Sequence, residues 1–69
     1  MEEHPVIKLS RPVEFGRSVN RAYPQAQEIG VEARSPWVAD LLVIGADGEL
    51  YLGRACLGLS GLWTISPLQ

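Results

Sequence analysis

A single cysteine, Cys56, and a single histidine, His4, are all the thiol and imidazole chemistry that the sequence offers. One thiol closes no disulfide within the chain, and one thiol with one imidazole builds no multi-cysteine or cysteine–histidine metal site. No run approaches the roughly 20 consecutive apolar residues that span a bilayer. The acidic opening Met1-Glu2-Glu3-His4-Pro5 lacks both the basic region and the apolar core of a secretory leader. A lone unpaired cysteine suits a reducing compartment, so the expected location is the cytoplasm.

With 46% hydrophobic and 20% charged residues, the chain is too apolar for a disordered polypeptide. Its 69 residues make one small domain, 1–69, with a flexible terminus expected over residues 1–5. A chain near this length buries only about 60% of its unfolded surface. Lacking disulfide or metal, it depends on packing, or on a partner that covers apolar surface.

What the sequence has is a pair of glycine-bracketed turns. Gly45-Ala46-Asp47-Gly48 and Gly58-Leu59-Ser60-Gly61 each place a glycine where a type I turn closed by a glycine bulge needs positive φ. They join three apolar-rich runs, which predicts a three-stranded antiparallel meander over about 37–66.

Pairing Ile44 with Glu49 across the first turn sets Val43 opposite Leu50, Leu41 opposite Leu52 and Ala39 opposite Arg54. The same rule at the second turn sets Leu57 opposite Leu62, Cys56 opposite Trp63 and Arg54 opposite Ile65. One face then carries Trp37, Leu41, Val43, Leu50, Leu52, Cys56, Trp63 and Ile65 as the core. The other carries Val38, Asp40, Leu42, Ile44, Glu49, Tyr51, Ala55 and Thr64, and its Leu42, Ile44 and Tyr51 are more apolar than a solvated face requires. Either a partner or second copy covers that side, or the sheet curls into a small barrel-like roll.

Residues 6–15 alternate as a strand, with Ile7, Leu9, Val13 and Phe15 on one side. Arg11 is out of phase, and Pro12 confines such a strand to an edge or a bend. Residues 16–23 read as a connection. Over 24–34 two patterns compete: a helix opened by Pro24 with Ala26, Ile29 and Ala33 on one side, or a strand with Ile29, Val31 and Ala33 at period two. The preferred reading is a short helix or turn over 24–28 followed by a strand at 29–33. The expected fold is therefore mainly β, or small α+β. The N-terminal strands pack on or extend the meander, and one short helix falls near 18–28.

No catalytic residue, cofactor site or phosphate cradle emerges. Cys56 with His4 would need a base within reach and a depressed thiol pKa, and a cysteine in an apolar strand opposite a tryptophan reads as a small hydrophobe. Asp47 is explained by turn preference. Arg54 is the oddest residue: on the core face it would stack on an indole and meet an acidic partner, whereas at a rim or bulge it would turn outward to solvent.

The charge is −2 overall but uneven, with Lys8, Arg11, Arg17 and Arg21 early and Glu28, Glu32, Asp40, Asp47 and Glu49 later. Such polarity steers a small protein toward a charged partner or its own copy. The expected function is a non-enzymatic protein-binding module, an inhibitor or adaptor that occupies a partner's surface, with self-association into a homo-oligomer as a second property. Its candidate contact residues are Arg17, Arg21, Tyr23, Asp40, Leu42, Ile44, Tyr51 and Arg54. A nucleic-acid-binding β-barrel using the basic side is the alternative, disfavoured by the acidity and the few aromatics. A structural subunit of a larger assembly is the third.

Overall fold

Arg11 adopts a left-handed conformation (φ 52°) that turns the chain into Pro12, the first residue of an α-helix, α1, over Pro12–Ala22. Proline suits that position because its φ is preset and its missing N–H is one the first turn leaves unpaired anyway. Phe15, Ser18 and Val19 share one side of α1 and are buried, while Arg17, Asn20 and Arg21 face solvent. Tyr23 closes the helix, its N–H donating to the Val19 carbonyl at 2.9 Å. The computed structural model that gives this arrangement describes residues 6–68. The expected flexible terminus and His4 lie outside the described residues.

Four antiparallel strands follow in one open sheet, in the order β1 (Glu28–Ser35), β2 (Val38–Ile44), β3 (Leu50–Leu57) and β4 (Trp63–Pro67). The fold is mainly β with one short helix. The meander and the strand at 29–33 are as expected, and β1 extends the meander at its N-terminal side. Both glycine turns form as anticipated, with positive φ at Gly48 (80°) and Gly61 (87°).

The N-terminal segment differs. No strand forms over 6–15; its second half, with most of the presumed connection, is α1, while at 24–28 it is the turn rather than the helix that forms, at Pro24 and Gln25. The apparent period-two alternation of Leu9, Val13 and Phe15 is a coincidence of spacing. In the structure Leu9 packs on the core from an irregular segment, Val13 faces solvent, and Phe15 and Val19 form an i, i+4 pair.

The register differs by one residue. Gly45 and Gly58 are not loop residues but the first ladder partners: Gly45 N–H donates to the Glu49 carbonyl at 2.9 Å and Gly58 N–H to Leu62 at 3.0 Å. Each hairpin loop therefore has one residue fewer, and the pairs become Ile44–Leu50, Val43–Tyr51, Leu42–Leu52, Leu41–Gly53, Asp40–Arg54 and Ala39–Ala55. At the second hairpin they are Leu57–Trp63, Cys56–Thr64, Ala55–Ile65 and Arg54–Ser66. Because side chains alternate with period two, this one-residue slip sends Leu50, Leu52, Arg54 and Cys56 to the face opposite the one anticipated. It brings Tyr51, Gly53 and Ala55 to the helix-covered face.

The core lies between α1 and that face: Phe15, Val19, Ala39, Leu41, Val43, Ala55 and Trp63, bordered by Leu9, Tyr23, Ala26, Ile29, Leu57 and Ile65. Trp63 is its anchor, as expected. Its ring meets Phe15 edge-on with centroids 5.0 Å apart, a geometry worth about 0.5–1.5 kcal/mol beyond burial. Its indole N–H donates to the Ser10 carbonyl at 2.9 Å. Trp37, also expected in the core, is exposed. Gly53 is required by close approach: a Cβ there would lie 2.6 Å from the Tyr23 hydroxyl oxygen.

Glu14 ties the two layers together. Its Oε2 accepts from the Ser18 hydroxyl at 2.8 Å and from the Trp63 backbone N–H at 3.1 Å. These bonds, that from Ser18 foremost, hold its carboxyl below the usual range.

Candidate functional site

The sheet has one covered face and one open face, and the register sorts the open one into rows. Glu28, Ile44 and Leu50 form the first row; Gly30, Leu42 and Leu52 form the second, extended by Leu68, whose N–H donates to the Leu52 carbonyl at 3.0 Å. The third row is Glu32, Asp40, Arg54 and Ser66, and the fourth brings Val38, Cys56 and Thr64 together. Half of this surface is therefore aliphatic. Leu42 is 50% exposed, Leu50 56% and Leu68 47%, in side chains that a monomer gains nothing by leaving in water.

The leucine row and the charged row border a shallow depression of about 440 Å³, floored by Gly30, Leu42 and Leu52 and rimmed by Arg34, Asp40 and Leu68. Gly30 lowers the floor because it adds no side chain beside Leu42.

At the rim, Asp40 is gripped by two guanidinium groups. Arg34 Nε–H donates to Oδ2 at 2.6 Å and Arg54 Nε–H donates to Oδ1 at 2.9 Å, while Arg34 Nη2 also lies 3.3 Å from Glu32. The bond from Arg54, then that from Arg34, holds the Asp40 carboxyl below its ordinary value. Its hydrogen bond to Asp40, with Glu32 nearby, raises Arg34 in turn. Exposed ion pairs of this kind add little to stability. Their effect here is to fix two cations in place at the edge of an apolar surface, each engaged through Nε.

The second hollow, about 300 Å³, sits on the other face near the first hairpin, between Tyr23, Ala26, Val43 and Tyr51. Tyr51 donates its hydroxyl to Asp47 Oδ2 at 2.7 Å, and Asp47 Oδ1 accepts the Glu49 N–H at 3.0 Å. Those bonds lower Asp47 and raise the Tyr51 phenol. Both polar groups are thus engaged in shaping the turn.

The structure divides the eight anticipated residues among three places. Asp40, Leu42, Ile44 and Arg54 lie together on the open face. Tyr51, placed there by the sequence register, belongs to the opposite face beside Val43, because of the shorter loop. Tyr23 is half-buried against the core. Arg17 and Arg21 line the solvent side of α1. Arg54 does not stack on an indole; it turns outward to Asp40. Cys56 is exposed rather than sealed against Trp63.

Sequence reasoning missed Leu50, Leu52, Leu68, Gly30 and Arg34. The first two were legible had Gly45 been counted as a ladder partner, which flips the parity of β3.

Among the described residues no group of three or more histidine, cysteine or acidic side chains is placed to hold a metal. No described helix is long and apolar enough to cross a membrane. No family model, curated protein or solved structure matches this chain.

Proposed function

We propose that this chain is a non-enzymatic protein-binding module, acting as an inhibitor or adaptor by seating a partner protein on the open face of its sheet. The observation that carries the reading is the pair of adjoining aliphatic rows, Ile44–Leu50 and Leu42–Leu52–Leu68, left uncovered in a chain with few other ways to hide apolar surface. The matching partner surface is apolar with a carboxylate at its edge, which would meet the Arg34 and Arg54 guanidinium groups beyond their shared Asp40.

The test is cross-linking in the native cell followed by mass spectrometry, with three proteins compared. Wild type and Arg17→Glu/Arg21→Glu are expected to capture the same partner, and Leu42→Asp to lose it while keeping the wild-type circular dichroism spectrum. Capture that survives Leu42→Asp and fails with the arginine reversals would refute this assignment and move the binding surface to α1. Salt-sensitive oligonucleotide binding lost with those same reversals would favour the nucleic-acid reading.

A further inference from the structure

The two edges of the sheet are not alike. β4 is five residues long and ends at Pro67, whereas β1 has eight residues with neither proline nor lysine, and its pairing with β2 is regular from Glu28 to Ala33, shifting only between Ala33 and Ser35 at its far end. Among the helix and the four strands, β1 packs against β2 alone. Strand edges without such blocking residues template the addition of another strand.

Hydrogen-bond phase fixes which groups of β1 are available. Trp37 pairs with Leu57 and Gly45 with Glu49 through their backbones, so the odd-numbered residues of β2 bond to β3 and the even-numbered ones to β1. Glu28, Gly30 and Glu32 are therefore consumed by Ile44, Leu42 and Asp40, and the N–H and C=O groups of Ile29, Val31 and Ala33 point away from the sheet. Their side chains lie on the helix-covered face. Val31 nevertheless stays 47% exposed, because α1 packs over β4 on the far side.

We infer that β1 pairs antiparallel with β1 of a second copy about a two-fold axis at Val31, merging two sheets into one. Three symmetric registers set at least two of these residues opposite free backbone groups of the other copy. An axis at Gly30 sets Glu28 against Glu32 in both halves, and an axis at Glu32 sets that residue against itself; like charges directly opposite are destabilising. The axis at Val31 alone avoids both. It faces Glu28 of each copy with Arg34 of the other, Ile29 with Ala33, and Val31 with Val31. Arg34 lies on the same outer face as Glu28, as its bond to Asp40 shows. The aliphatic strip of one core thus continues into the other, while the leucine rows of the open face stay free.

An edge-to-edge contact is small, so the dimer is weak, with a dissociation constant on the order of 100 µM. Sedimentation from low micromolar to about 1 mM protein is expected to show a monomer–dimer equilibrium. Val31→Lys, which sets two ammonium groups on the axis, and Glu28→Lys, which sets a lysine against Arg34, are each expected to weaken it about tenfold or more while leaving the monomer spectrum intact. Val31→Cys in a Cys56→Ser background should cross-link to itself under mild oxidation, since Cα atoms of a hydrogen-bonded antiparallel pair lie about 5.5 Å apart, within disulfide reach.

A protein monomeric throughout that range, or a dimer indifferent to Val31→Lys, overturns the inference. A dimer lost with Leu42→Asp but not with Val31→Lys overturns it too, by placing the contact on the leucine rows. The edge contact can fail while partner capture by those rows stands, and the reverse.

Discussion

Truncating Leu41 and Leu52 separately tests the register, and with it the identity of the open face. In the register read from sequence the two leucines oppose each other on one covered face, and their removal would cost the same. In the structure Leu41 is 2% exposed and pairs with Gly53, while Leu52 is 36% exposed and belongs to the other side.

Leu41→Ala leaves a cavity within the buried cluster and is expected to cost about 3 kcal/mol, mid-range for a sealed leucine. That is a large share of the roughly 3–10 kcal/mol available to a domain this small. Leu52→Ala leaves a dent that water fills, so only the transfer loss on its shielded area counts, about 1 kcal/mol or less. Urea unfolding at low micromolar concentration, followed by tryptophan emission in a Trp37→Phe background so that Trp63 alone reports, should separate the variants by about 2 M in midpoint, taking a slope near 1 kcal/mol/M. Equal midpoints would refute the register, and with it the assignment of Leu42, Leu50 and Leu52 to an open surface.

Gly16 sits inside α1 where an added methyl would meet nothing within 4 Å. Gly16→Ala should therefore stabilise by about 0.5–1 kcal/mol, raising Tm by about 3–6 °C in calorimetry; a fall in Tm would mean this segment is not helical. Stability should also decline in acid. Glu14, Asp40 and Asp47 all have carboxyls lowered in the folded state by hydrogen bonds, so their contribution is whole above the unfolded carboxylate range, about pH 5, and is lost as pH falls through their lowered folded values. Glu14→Gln should flatten part of that slope in pH-dependent urea titrations, and an unchanged slope would remove Glu14 from the account.

Glycine spacing made the meander legible: Gly48 and Gly61 supply the positive φ that both turns require, and strands of the expected kind flank them. What spacing does not carry is whether the bracketing Gly45 and Gly58 sit in the loop or on the ladder, a distinction set by one hydrogen bond each. Every face assignment on β3 followed from that choice, so Leu52 and Arg54 exchanged sides with Gly53 and Ala55. The helix was hidden for a different reason. Pro12 and Gly16 are ordinary breakers when read locally, and nothing in Arg11 announces the left-handed turn that makes Pro12 a beginning rather than an interruption. Trp63 was legible as a core anchor, but the size of the ring alone does not decide burial, since Trp37, read the same way, is exposed. Asp40 and Arg54 were each singled out, but the ion cluster emerges only when the corrected pairing places them side by side.

The bonds from Trp63 to Glu14 and Ser10 span 49 and 53 residues of chain. Each hairpin closes a short loop and needs only its neighbour, but α1, which precedes every strand, finds its partner in the last of them. Closing so long a loop carries an entropic cost that the local hairpins avoid. The meander is thus free to assemble first, leaving Phe15 and Val19 in water until β4 arrives. Damage to β4 would therefore leave the first helix without the strand it packs on, as surely as damage to the helix itself.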